Sequence, residues 1–203
     1  MFAEQRKKTI MELLRVNSSV SLNELIDTFE VSETTIRRDL TEMENAGELT
    51  RTHGGAILNT KAGFEPDYLQ KQSEFLEEKK NIAKTVASMV DDGDTVILDS
   101  GSTTFEIAKE LSDKRITLVT NSAIIISAFL SKQTNMQIHS TGGLLRTHTK
   151  SFVGSAAEDF LRQIRPDKAF IAANGISLSA GATTAHMSEA SIKRVIMSVS
   201  KKL

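Results

Sequence analysis

From residue 77 to residue 199 short apolar runs suited to strands alternate with longer segments of helical period, and no other feature limits the fold as tightly. The runs fall at 95–98, 116–120, 136–140 and 168–173, and the helical segments at 77–90, 103–111, 123–131, 155–164 and 188–199. Strands joined through a helix return parallel to one another, and the helices then cover both faces of the sheet. Residues 76–203 are therefore expected to form an α/β domain with a mainly parallel sheet. Ligands of such sheets bind beyond the carboxyl ends of the strands. Each predicted strand here ends in polar residues.

The first 58 residues follow a different rule. Ile10, Leu13 and Leu14 recur at helical spacing over 4–15, and Ser21 with Glu24 reads as a capping box that opens a second short helix ending near Phe29. After a turn at Glu30-Val31, Ser32 can cap a third helix, with Ile36, Leu40 and Met43 on one face and Gly47 at its end. Residues 48–52 and 56–58 flank His53-Gly54-Gly55, a pattern for two short strands around a glycine turn. The expected product is a small winged helix-turn-helix domain over 1–58. Its third helix would place Ser32, Thr34, Thr35, Arg37 and Arg38 toward a major groove, and Arg51 and His53 would reach neighbouring phosphates. Net charge argues the other way: the chain carries −1 overall, and acidic residues outnumber basic ones even within 1–58. Binding to double-stranded operator DNA thus rests on placement rather than on bulk charge.

Between the two patterns, residues 59–75 are polar and carry Gly63 and Pro66, as a linker would. With 39% hydrophobic and 25% charged residues the chain can bury a core, no apolar run approaches the ~18 residues of a membrane span, and cysteine is absent. No export signal precedes the first charged residues, so a cytoplasmic location without membrane association is expected. The four histidines, His53, His139, His148 and His186, have no metal-ligand spacing. Neither a metal nor a cofactor is expected.

The sequence Asp99-Ser100-Gly101-Ser102-Thr103-Thr104 links a strand to a helix. A glycine there lets backbone approach an anion, and N–H groups and hydroxyls at a helix start supply donors without opposing charge. Asn121 after the next strand and Gly142-Gly143 after the third stand at the same end of the sheet. A turn or cap would use the same residue types, and for each loop taken alone that reading stays open.

Residues 31–40 together with Arg51-Thr52-His53-Gly54-Gly55-Ala56 resemble the winged helix-turn-helix of DeoR-family repressors. The loops at 99–104, 120–122, 142–143 and 151–154, with the segment 189–194, resemble that family's sensor domain. The resemblance implies a fold related to ribose-5-phosphate isomerase, a phosphorylated sugar as effector, and homo-oligomers. It also implies that the 100–104 loop and Asn121 hold phosphate with help from Lys193. Family members run on through a further strand, so a sensor ending at Leu203 is expected to be incomplete and less stable. Two other readings stay open on the residues alone. A sugar-phosphate isomerase could use Asp99 or Glu189 in proton transfer, and a DNA binder could lack any effector.

Overall fold

The computed structural model describes residues 2–17, 19–58 and 68–203, which divide into two units, Met1–Phe64 and Glu65–Leu203. In the first unit the apolar stripe of α1 (Ala3–Asn17) buries Ile10 and Leu14 completely. These side chains meet Leu25 and Phe29 of α2 (Leu22–Phe29), and Ile36, Leu40 and Met43 of α3 (Glu33–Asn45). The capping box forms as expected: Glu24 N–H donates to Ser21 Oγ at 3.2 Å, and Ser21 N–H donates to Glu24 Oε2 at 2.7 Å. Glu30 in the left-handed conformation closes α2, Ser32 caps α3 by accepting from Thr35 N–H, and Gly47 at φ +77° ends that helix.

Two strands of the wing, β2 (Leu49–Thr52) and β3 (Gly55–Leu58), pair antiparallel. A third strand absent from the sequence expectation, β1 (Ser19–Ser21), pairs with the other edge of β3. Its approach explains Gly55, where an added Cβ would lie 2.0 Å from the Val20 carbonyl oxygen. Only glycine fits that crossing.

Most of the expected linker, residues 59–67, lies outside the described residues. From Tyr68 onward the expectation needs correction, because Tyr68–Ser73 forms a helix, α4, whose Tyr68 is 4% exposed.

The sheet of the second unit is fully parallel, in the order β6 (Gln137–Ser140), β5 (Thr117–Thr120), β4 (Thr95–Leu98), β9 (Lys168–Phe170). Alternation along the strands divides the core in two. Val96, Leu98 and Leu118 pack under α5 (Leu76–Ser88), α6 (Ser102–Glu110) and α7 (Ala123–Phe129). Ile97, Val119 and Ala169 pack under α8 (Ser155–Arg162) and α9 (Met187–Val199). Two hairpins stand beside the sheet, β7–β8 (Leu144–Arg146 and Ser151–Val153) and β10–β11 (Gly175–Ser177 and Gly181–Thr183). Beyond β9, Lys202 makes a parallel bridge to Lys168. Strand order reverses direction at β4, so the crevice between the loops after β4 and β9 is the switch point where such sheets bind ligands.

Candidate functional site

In the first unit the third helix carries the exposed polar face. Thr34, Arg37, Arg38 and the wing-tip His53 are exposed, whereas Thr35 is partly covered and its hydroxyl pairs with Ser32 Oγ at 2.9 Å. Both arginines have acidic neighbours on their own helix: Arg37 binds Glu33 at 2.7 Å, and Arg38 lies 4.0 Å from Glu42. A hydrogen bond from Lys7 of α1 holds Glu42 below the usual carboxylate range. Exposed pairs of this kind are weak and screened, so a polyanion can displace the acids.

Arg51 does not extend outward as expected. It is half-buried, with its guanidinium donating to Thr41 Oγ1 at 2.7 Å and its N–H to Glu44 Oε1 at 2.9 Å. The hydroxyl and carboxylate that α3 presents one turn apart draw it inward, so Arg51 fastens the wing to the helix. Sequence reasoning also missed the pair beneath that helix. Arg6 Nε donates to Asp39 Oδ2 at 2.8 Å with both side chains buried. The partners stand 33 residues apart, and no local spacing signals such a contact.

In the second unit Asp99, Ser100 and Gly101 follow β4 at the switch point, and α6 starts at Ser102. The first helical hydrogen bond runs from Phe105 N–H to the Gly101 carbonyl, and no side chain caps this helix. The N–H groups of Ser102, Thr103 and Thr104 thus precede the ladder at the positive end of the helix dipole. Thr104 Oγ1 turns back to the Gly101 carbonyl at 3.0 Å. A cavity of about 980 Å³ opens here; its walls are mostly apolar, with Ile82, Val86, Ile107, Phe170 and Met197 among them, and its polar lining is Thr103, Thr104, Thr183, Thr184, Lys193 and Arg194. Arg194 was not among the expected site residues, although it directly follows Lys193.

Asp99, 1% exposed, accepts from Lys193 Nζ and from Ala172 N–H at 3.3 Å, both through Oδ2. Asn121, 2% exposed, spends its amide nitrogen on the Phe152 carbonyl at 3.4 Å. Its Oδ1 is buried with no hydrogen-bond partner among the described residues. Of the expected effector residues only Thr103, Thr104 and Lys193 line the cavity; Asp99, Ser100, Gly101, Ser102, Asn121, Gly142 and Gly143 do not. Gly143, at φ +106°, lets the turn lie against β8, where a Cβ would come within 2.6 Å of the Val153 carbonyl oxygen.

A second buried carboxylate ties these parts together. Glu189 of α9 accepts at Oε1 from Arg146 at 2.6 Å, Thr149 at 2.6 Å and Ser151 at 2.9 Å, all from the β7–β8 hairpin. Burial pushes its pKa up most strongly, but the bonds from Thr149 and Ser151 and the charges of Arg146 and Lys193 together hold it below its ordinary value of 4.5. A carboxyl depressed in the fold contributes stability that is present above its unfolded pKa and lost as pH falls through the folded one. Thermal melts between about pH 5 and pH 3 should therefore fall more steeply for the unmodified chain than for Glu189→Gln. Parallel curves would show that Glu189 contributes nothing through its charge.

Among the described residues no group of histidines and acids is arranged to hold a metal ion, and no helix is long and apolar enough to cross a membrane. The DeoR-like helix-turn-helix domain model matches residues 6–62, and the DeoR C-terminal sensor domain model matches residues 74–203. A lactose phosphotransferase system repressor of Staphylococcus epidermidis is 34% identical over 195 residues, covering 95% of this chain and 77% of that protein. The HTH-type transcriptional regulator GlpR of Haloferax volcanii is 36% identical over 204 residues, covering 100% of this chain and 79% of that protein. The transcriptional repressor AccR of Agrobacterium fabrum is 36% identical over 202 residues, covering 98% and 78%.

Proposed function

The chain belongs to the DeoR family of DNA-binding transcriptional regulators, and from that premise we propose that it represses a carbohydrate-utilisation operon in the cytoplasm and is released by a phosphorylated sugar. It is a regulator and not an enzyme, in keeping with relatives named as repressors. Operator contact is assigned to Ser32, Thr34, Thr35, Arg37, Arg38 and His53, with Arg51 holding the wing in place. The observation that carries the effector half is the uncapped start of α6 opening on a cavity bordered by Arg194 and by Lys193, whose ammonium is ion-paired with Asp99. A helix start with hydroxyls and flanking positive charge is the chemistry of phosphate binding. The same arrangement supports kinship with the sugar-phosphate isomerase fold.

A ligand weakens DNA binding only by favouring the arrangement that binds DNA poorly. Two subunits on a pseudo-palindromic operator offer such an arrangement, because a change in dimer geometry moves both recognition helices off their half-site spacing. Gel-shift or anisotropy titration of the promoter region with a panel of pentose and hexose phosphates tests the whole reading. One compound should release the protein at micromolar to millimolar concentration. Binding that no phosphorylated compound alters would overturn the effector assignment and leave a constitutive repressor.

Arg38→Ala bears on the DNA half. If this side chain neutralises a phosphate, its loss should weaken operator binding and reduce the salt slope by about one per subunit. If it reads a base, the loss is about 1–3 kcal/mol and confined to the right sequence. Unchanged affinity on both operator and random DNA would remove Arg38 from the interface.

A further inference from the structure

The parallel sheet of the second unit ends at β6, which has a neighbouring strand on one side only. Gln137 N–H donates to the Ile116 carbonyl and Thr141 N–H to the Thr120 carbonyl, so the odd-numbered residues of this strand turn their backbone toward β5. Ile138 and Ser140 turn theirs outward, and their two N–H and two C=O groups meet no partner among the described residues. The opposite edge differs, because there the Lys202 carbonyl accepts from Ala169 N–H of β9 at 3.0 Å. Exposed edges are ordinarily blunted by a lysine, a proline or a bulge. β6 has none of these: its register with β5 is unbroken, and no Asp, Glu, Lys or Arg occurs from Gln133 to Leu145 in a chain that is 25% charged.

An edge of this kind accepts another strand, and its chemistry suits its own copy. We propose that two copies of this chain join along β6, antiparallel about a twofold axis at His139, so that their sheets become one. In that register Ile138 of each copy faces Ser140 of the other, and the outward N–H and C=O groups of both strands are all paired. Gln137 meets Thr141, and Met136 meets Gly142, where an added Cβ would touch nothing. The strand carries no charge, so no like charges are brought together. Strand pairing alone covers too little, since a stable interface buries about 1,200–2,000 Å². Further apolar surface stands on the chain leading into and out of β6, where Leu130, Leu144 and Leu145 are 80%, 71% and 42% exposed. This inference deepens the two-subunit reading of operator binding above and needs nothing from the effector site.

The chain has no cysteine, which makes a direct test available. His139 takes the non-hydrogen-bonded position on the axis, where facing Cα atoms lie about 4.5 Å apart, within the span of a disulfide. Gln137 is two residues from the axis, so its two copies stand about 13 Å apart and cannot be bridged. Under mild oxidation of the full chain, His139→Cys should form a covalent dimer about tenfold or more faster than Gln137→Cys. Sedimentation of the unmodified chain should show dimers at micromolar concentration. Ser140→Pro should weaken them about tenfold or more, because it removes one outward donor per copy and leaves the ladder to β5 intact. Circular dichroism checks its folding, and the cysteine pair keeps the test standing if that variant misfolds. Dimers whose two cysteine variants cross-link at equal rates, or that a folded Ser140→Pro leaves unchanged, would overturn β6 as the interface while the two-subunit reading survives. A chain that stays monomeric both in solution and on operator DNA would bring down that reading, and this inference with it.

Discussion

Arg6→Ala is expected to unfold the DNA-binding unit and abolish operator binding without contacting DNA. Asp39 is 0% exposed and Arg6 5% exposed, so the substitution leaves a buried carboxylate with no counter-charge. Its second oxygen, Oδ1, has no partner among the described residues to take up the deficit. Removing one member of a buried ion pair costs about 3–5 kcal/mol, which is most of the stability of a unit this small. Replacing both members, as Arg6→Met with Asp39→Leu, should restore much of that loss, since an apolar pair of similar volume needs no desolvation. Urea unfolding followed by circular dichroism would show the first unit lost early in the single variant. Fluorescence of Tyr68, the only tyrosine, would report the second unit unchanged. A shift below about 1 kcal/mol, the value of an exposed pair, would show that the contact is not buried in solution.

The same contact marks where reading from sequence stopped. Helices α1, α2 and α3 and the four parallel strands were legible because each carries its own signal: an apolar stripe, a cap, or an apolar run between polar loops. Strand β1 was not, because a three-residue segment with Val20 as its single apolar side chain has no period to detect. The hairpin β10–β11 was hidden for a related reason. Its residues are largely exposed, so burial imposes no alternation on them. Residue types at the effector site were legible from the loop after β4, but the direction of each side chain was not. Asn121, expected to hold phosphate, turns its amide nitrogen toward the Phe152 carbonyl, which belongs to a hairpin 31 residues away. Arg51 was misdirected likewise: its partner Thr41 is set by how the wing packs on α3.

Thr103→Asp should eliminate the effector response while leaving the fold slightly more stable, and the opposite signs make the outcome informative. Thr103 is the second residue of α6 and lines the cavity. A carboxylate in the first turn of a helix interacts favourably with the dipole, by about 0.3–1 kcal/mol, so the melting temperature should hold or rise. Toward a phosphate the same charge is repulsive. At ~4 Å and an effective dielectric near ~20, two unit charges interact by about 4 kcal/mol, equivalent to roughly a thousandfold in affinity. Operator binding should persist, since the substitution lies in the second unit and every residue assigned to DNA lies in the first. The measurement is the effector concentration that releases half the protein from operator DNA, compared between Thr103→Asp and the isosteric, uncharged Thr103→Val. Valine removes one hydroxyl and should shift the midpoint by about tenfold or less, whereas aspartate should move it beyond reach. If both variants shift the midpoint equally, the start of α6 supplies a hydroxyl to the ligand and no anion lies there. If neither does, the loop after β4 is only a turn.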